Sequence, residues 1–187
     1  MWDRFLDEFV RRPNRDGPDL GVLDALDPDD REAAVDVLLP LADQGSIPAI
    51  QGLAHLGADR AAGSLHAIMR RYDGTVRVYA AAALWWLRGD PEALSTLCAE
   101  LTHRPRLRAA PHRVDAAAVL SQIDAVEARR ALARVIHDSE YLIRYHAYEG
   151  LRSVLGRRRE YWNYVCKPDI HHHVRGRIDA ALRRAGL

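Results

Sequence analysis

The stretch Val76-Arg77-Val78-Tyr79-Ala80-Ala81-Ala82-Ala83-Leu84 decides the fold, because the chain repeats its pattern. It returns as His112-Arg113-Val114-Asp115-Ala116-Ala117-Ala118-Val119-Leu120 and as Ile143-Arg144-Tyr145-His146-Ala147-Tyr148-Glu149-Gly150-Leu151. The last copy is Val174-Arg175-Gly176-Arg177-Ile178-Asp179-Ala180-Ala181-Leu182. The arginines step by 36, 31 and 31 residues. A degenerate copy lies 31 residues before the first, with Ser46 at the arginine position and Leu53 matching Leu84. Self-similarity at this period means one supersecondary unit per copy, each burying its apolar face only against a neighbour.

Outward from these copies the reading is helical nearly throughout. Trp2, Phe5, Leu6, Phe9 and Val10 form an apolar stripe at helical spacing, and Pro13 to Pro18 breaks it into a loop. A short helix fits Leu20–Leu26. A stronger one follows Asp27-Pro28, with Pro40 expected to kink or shorten it. Beyond it, punctuation is regular: Gly45-Ser46, Gly57, Asp73-Gly74, Gly89-Asp90-Pro91, Pro105, Pro111, Asp138-Ser139, Gly156 and Pro168-Asp169. Asp90 before Pro91 and Glu92 is an N-cap acceptor ahead of a first-turn proline. No segment alternates with period two, so the expected class is all-α. The helices pair as 29–44 with 46–57, 60–72 with 75–88, 91–103 with 108–122, 125–137 with 140–155, and 157–166 with 170–185. Residues 1–187 read as one domain, in which 1–26 cap the first of the repeats that occupy 27–187.

The net charge of +1 argues against a general nucleic-acid binder, which carries a basic stripe. Of 27 basic residues only Lys167 is a lysine, a bias that fits GC-rich coding as well as any binding code. Cys98 and Cys166 lack metal or redox spacing and read as thiols in a reducing compartment. The acidic N-terminus lacks the apolar core of a signal peptide, and no apolar run matches a bilayer, so a cytoplasmic protein without membrane contact is expected.

The phrase Asp-x5-Val-Arg-x2-Ala-x3-Leu after an amphipathic helix resembles the HEAT repeat, and the resemblance covers roughly residues 29–185. Asp138 to Arg144 and Asp169 to Arg175 reproduce that family's interval. The resemblance implies a right-handed α-solenoid of about five HEAT-like hairpins with an N-terminal helical cap. It also implies a ladder of Arg77, Arg113, Arg144 and Arg175 with Asp138 and Asp169 between stacked repeats, broken in the first half, where Asp73 lies only four residues before Arg77 and Ser46 replaces an arginine. The physical basis holds without the family: a corner arginine can bond orphan carbonyls of one unit and a carboxylate of the next. The arginines therefore read as architectural.

Aligning the copies exposes a neighbouring column that is not consistently apolar. Its members Gln51, His55, Tyr79, Trp86, Asp115, Gln122, His146, Glu149 and Arg177 are the candidate partner-binding residues, lining a concave face. Of the pair Trp85-Trp86, which point about 100° apart on a helix, Trp86 is the outward one and Trp85 the core one. Tyr141, Tyr145, Tyr148, Tyr161, Trp162 and Tyr164, beside Arg157-Arg158-Arg159, make the C-terminal third a second candidate surface. His171-His172-His173 looks like a metal site, yet three consecutive helical residues fan apart, so no metal and no cofactor are expected.

The leading expectation is a non-enzymatic scaffold that binds another protein. Small bacterial proteins similar to it include immunity proteins that neutralise a toxin. The alternative is a protein similar to the HEAT-like DNA glycosylases, with Tyr79, Trp86 and Asp115 around an alkylated base and Arg177 and Arg184 on phosphates.

Overall fold

The computed structural model describes residues 1–11, 17–103 and 111–187. Among them every regular element is helical, and no strand occurs. Most of the expected loop at Pro13 to Pro18, Pro105, and residues 108–110 of the sixth expected hairpin helix lie outside the described residues. The chain divides into two compact units, Met1–Ala93 and Leu94–Leu187.

The first unit begins with α1 (Trp2–Leu6), which runs on through a π turn at Asp7–Arg11, and α2 (Gly21–Asp24). Then come α3 (Pro28–Asp43), α4 (Ile47–His55), α5 (Ala62–Arg71) and α6 (Gly74–Arg88). Asp27 starts α3 by accepting from the Asp30 amide at 2.8 Å, with Pro28 in the first turn; Ser46 caps α4 in the same way. Helix α3 runs through Pro40 to Asp43, close to the expected span 29–44. Both Asp36, whose carbonyl loses its donor, and Pro40 are exposed, so water can serve that carbonyl.

Helix α3 packs on α4, α5 on α6, α3 on α5 and α4 on α6. The unit is thus two helical hairpins side by side, first helix on first and second on second. Ala80, Ala81, Ala82, Ala83 and Leu84 are all buried, so α6 is enclosed all round in this turn, which alanines permit where larger side chains would not fit. Phe5, Phe9, Leu38, Leu53, Leu65 and Ile68 fill the space between. Burying each such side chain contributes about 1.5–3 kcal/mol. Phe9 reaches the first hairpin directly: a Cβ at Gly52 would lie 3.0 Å from its ring and 2.9 Å from Leu38 Cδ1.

The boundary between units falls inside α7 (Pro91–Thr102). The second unit continues with α8 (Pro111–Leu120), α9 (Val126–Val135), α10 (Tyr141–Gly150), α11 (Arg152–Leu155), α12 (Arg159–Cys166) and α13 (Arg175–Arg184). Helix α10 packs against α8, α9 and α12, so it forms the centre of this unit. The expected helix 140–155 breaks at Leu151, which leaves the helical region with ψ 7°. The expected start of the last helix at 170 moves to Arg175, because His172–Val174 form a 3-10 turn that points Val174 into the core.

Each unit carries arginine anchors at its hairpin corners. Arg77 donates from Nε to Met69 O and Tyr72 O, the last carbonyls around the end of α5, and pairs with Asp73 at 2.5 Å. Arg113 donates to Leu101 O at 2.9 Å and reaches Asp138 of the next hairpin at 2.6 Å. Arg144 is the buried charged residue of the core; it donates to Asp138 O and Ser139 O from Nη1 and to Val165 O from Nε, all within 3.0 Å. Arg175 is exposed and enters no hydrogen bond or ion pair of this kind among the described residues.

Two stability differences follow from these contacts. The Arg113–Asp138 pair is only 11% and 14% exposed. Asp138→Ala strands a largely buried guanidinium and should cost about 3 kcal/mol in urea unfolding. Asp124→Ala, which removes the exposed partner of Arg129, should cost less than about 0.5 kcal/mol.

Gly150 occupies the repeat position of Gly52, six residues past the arginine position. A Cβ there would stand 2.5 Å from Leu132 Cδ1 and 2.9 Å from the Ser121 backbone. Gly150→Ala should therefore destabilise by about 1–3 kcal/mol through overpacking. Gly176, with nothing within 4 Å of such a Cβ, should gain up to about 1 kcal/mol on the same substitution. Equal effects at the two glycines would contradict the close approach of α10 to Ser121.

Candidate functional site

Helix α10 shows how one helix serves both core and surface. Ile143, Arg144, Ala147 and Tyr148 face inward and are buried. Tyr141, Leu142, Tyr145, His146 and Glu149 lie on the remaining arc. The Arg144 anchor sets this rotation, since its guanidinium must reach three carbonyls inside the unit. On α12 the pattern repeats: Tyr161, Tyr164 and Val165 are buried, while Trp162 points out.

These outward arcs meet as a cluster of rings. Tyr145 and Trp162 form an edge-to-face pair with centroids 5.9 Å apart, Tyr148 lies 6.0 Å from Trp162, and Tyr141 lies 6.3 Å from Tyr145. Such spacings are those of favourable aromatic packing. The cluster is nevertheless open: Tyr141 is 41%, Leu142 44% and Trp162 37% exposed. These side chains leave part of the α10–α12 surface apolar and open to solvent.

His146 adjoins the cluster, its ring 5.0 Å from that of Tyr145. Desolvation by these neighbours lowers its pKa from the ordinary 6.5, while Glu149 and Asp115 act in the opposite direction and only partly offset it. Neutral imidazole is therefore the form present at physiological pH. Glu149 is also held by Arg152, one turn along.

Of the nine candidate column residues, Asp115 and Glu149 act electrostatically on His146 in the second unit. Gln122 is exposed and bonds back to Ala118 O at 3.4 Å, and Arg177 pairs with Glu160 at 3.1 Å. In the first unit His55 is tied to Asp24 at 2.7 Å. Gln51 is half-buried, with an Oε1 that has no partner. Tyr79 is half-buried. Trp86 is 50% exposed, and Trp85, expected in the core, is only half-buried.

A second feature of this unit joins residues far apart in the chain. Tyr164 donates its hydroxyl to His137 Nδ1 at 2.6 Å, and His137 Nε2 donates to Asp179 at 2.7 Å. Burial pushes the Tyr164 phenol up, so it stays protonated and acts as a donor. The three residues link the end of α9 to α12 and α13. Sequence reasoning missed this network, since none of its members recurs at the repeat period. It did register the C-terminal aromatics, and the i, i+4 spacing of Tyr141 and Tyr145 is the signal that they share a face.

The rings of His171 and His172 each lie 6.1 Å from that of His173, and His172 Nδ1 lies 3.3 Å from the Asp169 carbonyl oxygen. Among the described residues no group of three or more His, Cys, Asp or Glu side chains is placed to hold a metal ion. No helix there is long and apolar enough to cross a membrane. Comparison with protein-family models, with curated proteins and with solved structures finds no match. The functional reading therefore rests on the surface chemistry itself.

The depressed His146 value has a measurable consequence. Below the ordinary histidine pKa the unfolded chain binds a proton that the folded state still refuses, so stability falls as pH drops through that window. His146→Asn should flatten this part of the profile of melting temperature against pH. In an NMR titration His146 should have a midpoint below 6.5, and Glu149→Gln should lower it further. A midpoint at or above the ordinary value would contradict the desolvated setting.

Proposed function

We propose that this chain is a non-enzymatic protein-binding module of the HEAT-like kind, a right-handed α-solenoid with an N-terminal cap, that engages another protein through the aromatic face of α10 and α12. The observation that carries the reading is the open ring cluster of Tyr141, Tyr145 and Trp162 on a rigid two-helix platform. Tyr and Trp are the residues from which binding hot spots are built: large, stiff and with few rotamers to immobilise. The Glu149 carboxylate, one turn beyond Tyr145 on α10, would supply part of the polar rim of such an interface. The side-by-side packing of α3/α4 on α5/α6 and the Arg113–Asp138 pair support the repeat architecture.

Affinity capture with the wild-type chain, followed by direct titration of the captured protein, tests this. Trp162→Ala combined with Tyr141→Ala should weaken the complex by about 2 kcal/mol or more, roughly thirtyfold, with the helical circular dichroism unchanged. Full affinity in that double variant would sink the aromatic-face assignment. Loss in Trp86→Ala instead would move the contact to the first unit. A chain that captures nothing, and binds duplex DNA with steep salt dependence, would favour the nucleic-acid alternative.

A further inference from the structure

The arginine-to-aspartate pairing between hairpins that Arg113 makes is not repeated at Arg144, and a cleft opens there. Arg113 reaches the aspartate of the following copy, Asp138, at 2.6 Å. One repeat of 31 residues later the corresponding residues are Arg144 and Asp169. This pair is not formed; Arg144 is spent instead on the Asp138, Ser139 and Val165 carbonyls. Arg144 and Asp169 line a cleft of about 780 Å³ between the turn 137–139, the end of α12 and the start of α13.

The chemistry of the walls is uneven. Arg144, Lys167 and Arg175 are permanent cations, and His172 adds an imidazole. Asp138 is already neutralised by Arg113, which leaves Asp169 as the one uncompensated carboxylate of the lining. Arg144 is 5% exposed, and its three hydrogen bonds use Nε and Nη1 but not Nη2. A largely buried guanidinium edge on a cleft wall is a strong donor set for an oxygen anion, because it is already desolvated and held rigid. Helix α13 begins at Arg175 without a side-chain cap, so the positive end of its dipole adds to the same field. Beside the cations stand Pro168 and Ile170, the latter 64% exposed.

We propose that this cleft binds a phosphate-bearing small molecule. The phosphate group would bridge Arg144, Lys167 and Arg175, and the organic part would lie on Ile170 and Pro168. A tetrahedral oxyanion presents acceptors on several sides and can be shared by three cations at once, whereas a carboxylate fits one guanidinium fork. The volume lies in the range of small-molecule sites, about 300–1,000 Å³, and far exceeds what a bare phosphate fills. The site shares no residue with the aromatic face, so it stands or falls independently of the partner-binding reading.

Lys167 is the chain's one lysine, which makes it a reporter of its own environment. The rate of Lys167 acylation by a soluble acetylating reagent, read by mass spectrometry on the full chain, is measured against phenyl phosphate, inorganic phosphate, acetate and chloride at equal ionic strength. Saturable protection by phenyl phosphate with a dissociation constant of about 1 mM or tighter is the expected result, with weaker protection by inorganic phosphate. Arg175→Ala, an exposed position whose loss leaves the core intact, should weaken that protection about tenfold. Arg183→Ala, an exposed cation outside the cleft, should not. Protection no better than acetate or chloride provides, or unchanged in Arg175→Ala, overturns the site. Inorganic phosphate matching phenyl phosphate overturns the small-molecule part.

Discussion

The structure depends on one interaction, the donation of arginine N–H groups to carbonyls left over at the ends of first helices. An α-helix ends with four carbonyls that no amide of its own can reach. At three hairpin corners an arginine from the next helix takes carbonyls at the helix end or in the turn after it: Arg77 at Met69 and Tyr72, Arg113 at Leu101, Arg144 at Asp138 and Ser139. The bond fixes both the turn and the rotation of the second helix about its axis. Burying a guanidinium this deeply is costly unless its donors are matched. Three carbonyls accept from Nε and Nη1 of Arg144, which matches part of its donor set.

Rotation of α10 is where this constraint becomes functional. With Arg144 held inward, Ile143 and Ala147 enter the core and the aromatic positions 141 and 145 turn out beside Trp162. Gly150 continues the same arc, and the contact with Ser121 admits no side chain there. The break at Leu151 follows directly after. One anchor therefore specifies the buried face, the open ring cluster and the desolvated setting of His146 together.

Much of this was legible in the residues. The recurrence of Arg77, Arg113, Arg144 and Arg175 told of repeated helical units, and the apolar spacing around each told which arc would be buried. Trp86 could be placed outward, whereas of the six C-terminal aromatics Tyr148, Tyr161 and Tyr164 prove to be buried. Other features were not legible. The break of the expected helix 140–155 at Leu151 was one of them. The division into two compact units inside α7 leaves no mark in composition or punctuation. The His137–Tyr164–Asp179 network joins three residues that follow no period, and only packing brings them within hydrogen-bond reach.

The sequence by itself determined that the chain is helical, where its hairpins turn and which positions carry the corner arginines. These are properties of periodicity and of capping, and both act over a few residues. Only the tertiary structure decided what each arginine meets. Arg113 finds Asp138, while Arg144, in an equivalent position, takes the Val165 carbonyl and leaves Asp169 across an open cleft. Spacing alone makes these two arginines indistinguishable. The packing of α12 on α10 separates them, because it brings the Val165 carbonyl to Arg144, and a charge-assisted hydrogen bond forms only where a partner lies within reach.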